Sequence, residues 1–205
     1  MVLVLGVVLG YYFYDKKDSK MNQNDSFTLA TYHIEDVPYT GIHNHVEENA
    51  LILNPYDSAL FSVLQYWYPN KYSPVDVHEL INMTRYGQFP TMIQMRDAIN
   101  RLPELDASVA VLQPKDLGRY INSSRQTPLV TFLPVSEYGD EVKDSLVTPY
   151  ILTGVDVENE KLTFQNYWLG PEVEVTFENY ELRQATLATR NPLLDYTFLV
   201  IEPAD

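Results

Sequence analysis

The sequence predicts an α+β domain with its helices in the first half and antiparallel strands in the second. Three observations carry this. Apolar residues recur at helical spacing between positions 54 and 121, each run opened by a capping or proline signal. From Thr127 onward the runs are short, β-branched or aromatic, and bounded by turn residues. The two patterns do not alternate, which argues for segregated layers and against a parallel α/β sheet.

The elements follow in order. Phe27 to Val37 is extended and stops at Pro38. Asn54-Pro55 starts the strongest helix: Asn54 can cap, and Pro55 occupies the first helical position, where no N–H is needed. Leu60, Val63, Leu64 and Trp67 form its apolar stripe, flanked by Phe61 and Tyr68. Ser73-Pro74 opens a second helix with Val77, Leu80 and Ile81 inward. Thr91 and Gln94 form a capping box for a third, with Ile93, Ala98, Ile99 and Leu102 as its apolar set and Pro103 as its stop. Pro114 starts a short fourth helix reaching Ile121. Thr127–Leu133 reads as a strand. Pro149–Val155 and Lys161–Gln165 read as a hairpin turning near Glu158-Asn159. Val173–Phe177 alternates, and Tyr196–Ile201 is an apolar closing strand.

Composition narrows the function. The 205 residues are 45% apolar and 20% charged, ample for a packed core. Acids number 28 against 14 Lys and Arg, a net charge of −14, with no basic stripe. A nucleic-acid partner is therefore not expected, since phosphate recognition needs clustered cations. Cys is absent, which removes disulfides, thiolate metal sites and every cysteine-nucleophile mechanism. No cofactor is implied.

The N-terminus reads differently. Residues 1–14, MVLVLGVVLGYYFY, carry no charge, and residues 15–26 form a polar tether containing Lys16, Lys17 and Lys20. Fourteen apolar residues fall short of the roughly 20 that span a bilayer. The segment reads as a hydrophobic anchor or signal remnant whose upstream part is missing, which predicts a membrane-anchored or secreted domain over 27–205. The charge bias fixes orientation only weakly.

Several strings in the folded part have counterparts elsewhere. Val37-Pro38-Tyr39 leads in. Pro55-Tyr56-Asp57-Ser58-Ala59 opens the long helix, and Val63-Leu64-Gln65-Tyr66-Trp67 ends it. Gln126-Thr127-Pro128-Leu129-Val130 starts a strand. Thr148-Pro149-Tyr150-Ile151-Leu152-Thr153-Gly154-Val155-Asp156 forms the next, and Asn166-Tyr167 ends its partner. In this order and spacing, from about Val37 to Pro203, they resemble the papain-like cysteine peptidases that process bacteriocin leaders, the C-thirty-nine-like family. The resemblance implies a papain-like fold, an N-terminal helical half packed on a C-terminal antiparallel sheet.

It also implies where chemistry would sit. That family places a thiolate at a helix N-terminus, where backbone N–H groups favour the anion, with a His to hold the proton and an Asn or Asp to orient it. Carried over, the Cys falls on Pro55, the His on Thr148 and the orienting residue on Asn166. The Gln of the oxyanion hole falls near Ile42. Only Asn166 keeps a compatible side chain. The four histidines, His33, His43, His45 and His78, all precede the strand half. The chain thus reads as a pseudopeptidase with no catalytic residue. Its vestigial cleft, lined by Pro55, Tyr56, Asp57, Ser58, Thr148, Asn166 and Trp168, would bind a peptide or protein, preferably basic.

Two alternatives stand beside this reading. One is a hydrolase with relocated groups, using Ser58 or a metal held by His43, His45 and Glu47, which alternate and would share a face of a strand. The other is a structural interaction domain without groove function.

Overall fold

The computed structural model describes residues 31–41, 54–82, 90–121, 126–134, 147–190 and 196–204. Four α-helices, one 3₁₀ turn and seven strands occur among them. The strands are β1 (Thr31–His33), β2 (Leu105–Val111), β3 (Leu129–Pro134), β4 (Val147–Asp156), β5 (Lys161–Asn166), β6 (Gly170–Thr176) and β7 (Thr197–Pro203). The helices are α1 (Pro55–Trp67), α2 (Pro74–Asn82), α3 (Met92–Ile99) and α4 (Phe177–Arg190). The fold is α+β, as the sequence predicts.

The helix starts obey their capping chemistry. Asn54 Oδ1 accepts from the N–H groups of Tyr56 and Asp57, both at 3.0 Å, with Pro55 at the first position. At α2 the Ser73 hydroxyl accepts from the Asp76 N–H at 3.2 Å, and the Asp76 carboxylate accepts from the Ser73 N–H at 2.7 Å. At α3 Thr91 and Gln94 complete the capping box in both directions. The buried face of α3 differs from expectation. Met92, Met95, Ala98 and Ile99 point inward, whereas Ile93 is exposed. Leu60, Val63 and Leu64 of α1 and Val77 and Ile81 of α2 are buried as read.

The sheet is antiparallel throughout, in the order β2-β7-β3-β4-β5-β6. Strand β1 extends the β3 side of β4, pairing Tyr32 with Val155 beyond the last β3 partner, Leu152. The β4–β5 hairpin turns where expected: Asp156 pairs with Lys161, and the Asp156 carboxylate accepts from the Asn159 N–H at 3.0 Å.

Two elements depart from the sequence reading. Strand β2 lies among the helices and forms one sheet edge against β7. Helix α4 follows β6, where only a strand ending at Phe177 is expected. Its buried face is built from Tyr180, Arg183, Gln184 and Leu187, so polar side chains occupy positions that periodicity reserves for apolar ones. The segment from Pro114 is a 3₁₀ turn through Arg119.

The result is a sheet covered on both faces. Alternation along β4 sorts its residues. Pro149 and Ile151 face α1. Tyr150 faces α4: its ring meets Phe164 edge-on at 5.7 Å, and Phe164 stacks on Tyr180 at 6.1 Å. Among the described residues no helix is long and apolar enough to cross a membrane. The 1–14 segment and the 15–26 tether lie outside the described residues.

Candidate functional site

The site forms where the N-terminus of α1 meets the ends of β4 and β5. A small cavity of about 10 Å³ opens there, large enough for one water-sized sphere. Pro55, Ser58 and Ser62 of α1 form one wall, Pro149 and Ile151 of β4 the floor, and Gln165, Asn166 and Tyr167 the far side. Tyr39 and Thr40 form the roof.

The roof is laced to both walls. Gln165 Nε2 donates to the Val37 carbonyl at 2.8 Å. The Tyr39 hydroxyl lies at 3.3 Å from the carbonyls of Asn166 and Tyr167, and the Ser58 hydroxyl donates to the Thr40 carbonyl. Gly41 leaves the room this requires, because a Cβ there would overlap the Tyr39 phenol. Burial pushes the Tyr39 and Tyr167 hydroxyls above their ordinary values, so both stay neutral donors in physiological solution. Among the described residues, the region that the sequence reads as a cleft is a small cavity roofed by Tyr39 and Thr40.

Of the seven residues assigned to this region, three line the cavity: Pro55, Ser58 and Asn166. Tyr56 is buried instead against Phe132, edge-on at 5.5 Å, and its hydroxyl donates to the Val147 carbonyl at 3.1 Å. Asp57 faces α2: it accepts from Asn54 Nδ2 at 2.7 Å and lies 2.6 Å from His78 Nδ1. His78 Nε2 lies 2.7 Å from Asn82 Nδ2, so this carboxylate–imidazole pair holds two helices together away from the cavity. Thr148 shares the α4 face with Tyr150, and its neighbour Pro149 reaches the cavity. Trp168 is 40% exposed on the β5–β6 turn, edge-on to Tyr167 at 4.8 Å.

The chemistry available is limited. Pro55 has no N–H, and the next two N–H groups of α1 already bond Asn54. The donors that would steady an anion at this helix start are thus consumed by its own cap. Asn166 is committed as well. Its Nδ2 donates to the Pro149 carbonyl at 3.1 Å, and its Oδ1 accepts from the N–H groups of Trp168 and Leu169 at 3.0 and 3.1 Å. It shapes the β5–β6 turn and orients no imidazole among the described residues. The Ser58 hydroxyl likewise has no imidazole partner there. No group of three His, Asp or Glu suited to a metal ion occurs among the described residues. His43, His45, Glu47 and Ile42 lie outside them.

Sequence reasoning missed Tyr39, Ser62, Pro149 and Gln165. The parity of β4 was the readable signal. Tyr150 is the large aromatic that seeks the core, so its neighbours on either side point the other way.

Known proteins place the fold. The chain is similar in structure to a double-glycine-motif protease from an AMS/PCAT transporter, solved in complex with the leader peptide. The TM-score is 0.53 at 15% identity, over 84% of this chain and 95% of that one. The peptidase domain of Streptococcus ComA, a bifunctional ABC transporter of a quorum-sensing pathway, aligns with a TM-score of 0.44 at 14% identity, over 73% of this chain and 90% of that one. No family model matches the sequence, and no curated protein matches it. The chain shares its fold with that double-glycine-motif protease.

Proposed function

We propose that this chain is a non-catalytic papain-like domain that binds an extended peptide at the mouth of the α1–β4–β5 cavity. The observation that carries the reading is the state of the α1 N-terminus. The first position is a proline, the following donors are bonded to Asn54, and the strand position facing the helix is Pro149. A peptidase of this fold needs a nucleophile and a base at those places. Binding needs neither.

Surface features around the mouth suit a peptide. Trp168 and Leu169 are 40% and 38% exposed beside Tyr167, giving an aromatic and aliphatic anchor. Among the described residues β6 ends the sheet, an edge to which an extended strand can be added. Glu172 is exposed on β6, which favours a peptide carrying Lys or Arg, while Glu174 two residues on pairs with Lys161 at 3.0 Å. The transporter protease that shares the fold was solved with its leader peptide, which supports a peptide ligand in kind. The uncharged 1–14 run with its polar tether supports presentation at a membrane.

The test is fluorescence anisotropy with labelled extended peptides of basic and acidic composition. The reading predicts that basic peptides bind more tightly and that Trp168→Ala weakens them about tenfold, the size of an interface anchor. Equal binding by wild type and Trp168→Ala, or no binding by either peptide class, would overturn it.

A further inference from the structure

The opposite face of the sheet carries a second polar site. Arg183 of α4 is only 8% exposed. Its Nε donates to Asn179 Oδ1 at 2.7 Å, but its Nη1 is buried without a hydrogen-bond partner. Arg183 forms no ion pair with any described residue. Below it on β4, the fully buried Tyr150 hydroxyl also has no hydrogen-bond partner, and neither does the Thr148 hydroxyl two residues along the same face.

These three orphans belong together. A guanidinium stays charged at all physiological pH, and a buried charge without a counter-charge is costly. The Arg183 guanidinium reaches the Tyr150 hydroxyl and favours its ionised form by charge and by a hydrogen-bonding contact, against the larger opposing effect of burial, but the contact is too poorly aligned to satisfy either Nη1 or the hydroxyl. The neighbouring polar groups are already used. Gln184 Nε2 donates to the Tyr180 hydroxyl at 3.0 Å, and Gln184 Oε1 accepts from the Tyr196 N–H at 3.1 Å. What remains is a cation with a fixed fork of donors beside the Tyr150 hydroxyl, with the Thr148 hydroxyl two residues along the same strand face.

We infer that Arg183 and Tyr150, flanked by Thr148, form a binding site for an oxyanion on the α4 face, on the far side of the sheet from the α1 cavity. A carboxylate or a phosphate would supply the missing negative charge and accept from Nη1 and from the hydroxyls. A water alone would satisfy the hydrogen bonds and leave the charge uncompensated.

The experiment is thermal unfolding of the full chain in chloride, acetate and inorganic phosphate at matched ionic strength. Arg183→Met and Tyr150→Phe are measured in parallel. A ligand at ten times its dissociation constant raises the melting temperature of a chain this size by about 3–6 °C. The wild type is expected to show a saturable rise of that order with acetate or phosphate over chloride. Whichever anion gives the larger rise identifies the ligand as carboxylate or phosphate. Tyr150→Phe keeps the packing and is expected to lose a large part of the rise, and Arg183→Met all of it. Non-specific stabilisation by salts acts on every variant alike. An equal rise in the wild type and in Tyr150→Phe, or no rise in the wild type, overturns the site.

Discussion

Glu104 joins the loop after α1 to the turn before β2. Its carboxylate pairs with Lys71 and accepts from the Tyr72 hydroxyl, and its carbonyl accepts from the Tyr68 hydroxyl at 3.0 Å. The Lys71 ammonium also sits 4.9 Å from the Tyr68 ring centre. The bonds from Lys71 and then Tyr72 hold the carboxyl at about 2, well below its ordinary 4.5. A folded-state value below the unfolded one stabilises the fold above the unfolded value, and that contribution fades as pH falls through the folded one. Urea unfolding from pH 5 to 2 is therefore expected to show a fall in stability across about pH 4.5 to 2 that Glu104→Gln flattens. An unchanged slope in the variant would dismiss the role. None of this was legible in the sequence, because Lys71, Tyr72 and Glu104 are brought together only by the packing of α2 and α3. Local residue chemistry read better. Asn54, Ser73 and Thr91 cap their helices as expected, since a cap and its N–H partners lie within three residues.

At the scale of elements, legibility followed how apolar the buried face is. Helix α1 buries Leu60, Val63 and Leu64, and its spacing announces it. Helix α4 buries Tyr180, Arg183, Gln184 and Leu187, so its pattern is half erased. Its start had a signal of the right kind: the Thr176 hydroxyl accepts from the Asn179 N–H at 3.2 Å. Strand β2 hid for a related reason, since Asp106, Ala107 and Ser108 have weak strand preference and only pairing with β7 fixes them. If Gln184 is structural to α4, Gln184→Ala should cost about 1–3 kcal/mol, because it strips the Tyr196 N–H of its acceptor. The exposed neighbour Glu181→Ala should stay within about 0.5 kcal/mol. Chemical denaturation of the two variants separates the cases, and equal losses would mean α4 is held by other contacts.

Across the whole molecule, the resemblance read from short strings led to the right fold, because those strings mark the helix start and strand ends that the topology must bring together. The site was less legible. Pro55, Ser58 and Asn166 do meet at one cavity, but the side of β4 that faces it is set by the burial of Tyr150, and the strings say nothing of that. The roof of Tyr39 and Thr40 was equally hidden, since it depends on hydrogen bonds between segments more than 15 residues apart. The molecule thus shares its fold with a double-glycine-motif protease around a cavity too small to hold a peptide, so the proposed peptide would have to sit at the mouth and along the β6 edge.

The most direct test of that account follows one basic extended peptide through two readouts at once. The peptide is held with excess protein at saturating concentration, its bound fraction measured by anisotropy and its mass by mass spectrometry over a day. The account predicts saturable binding with the peptide mass unchanged. Cleavage at a defined bond, abolished by Ser58→Ala, would contradict it and make this chain an enzyme.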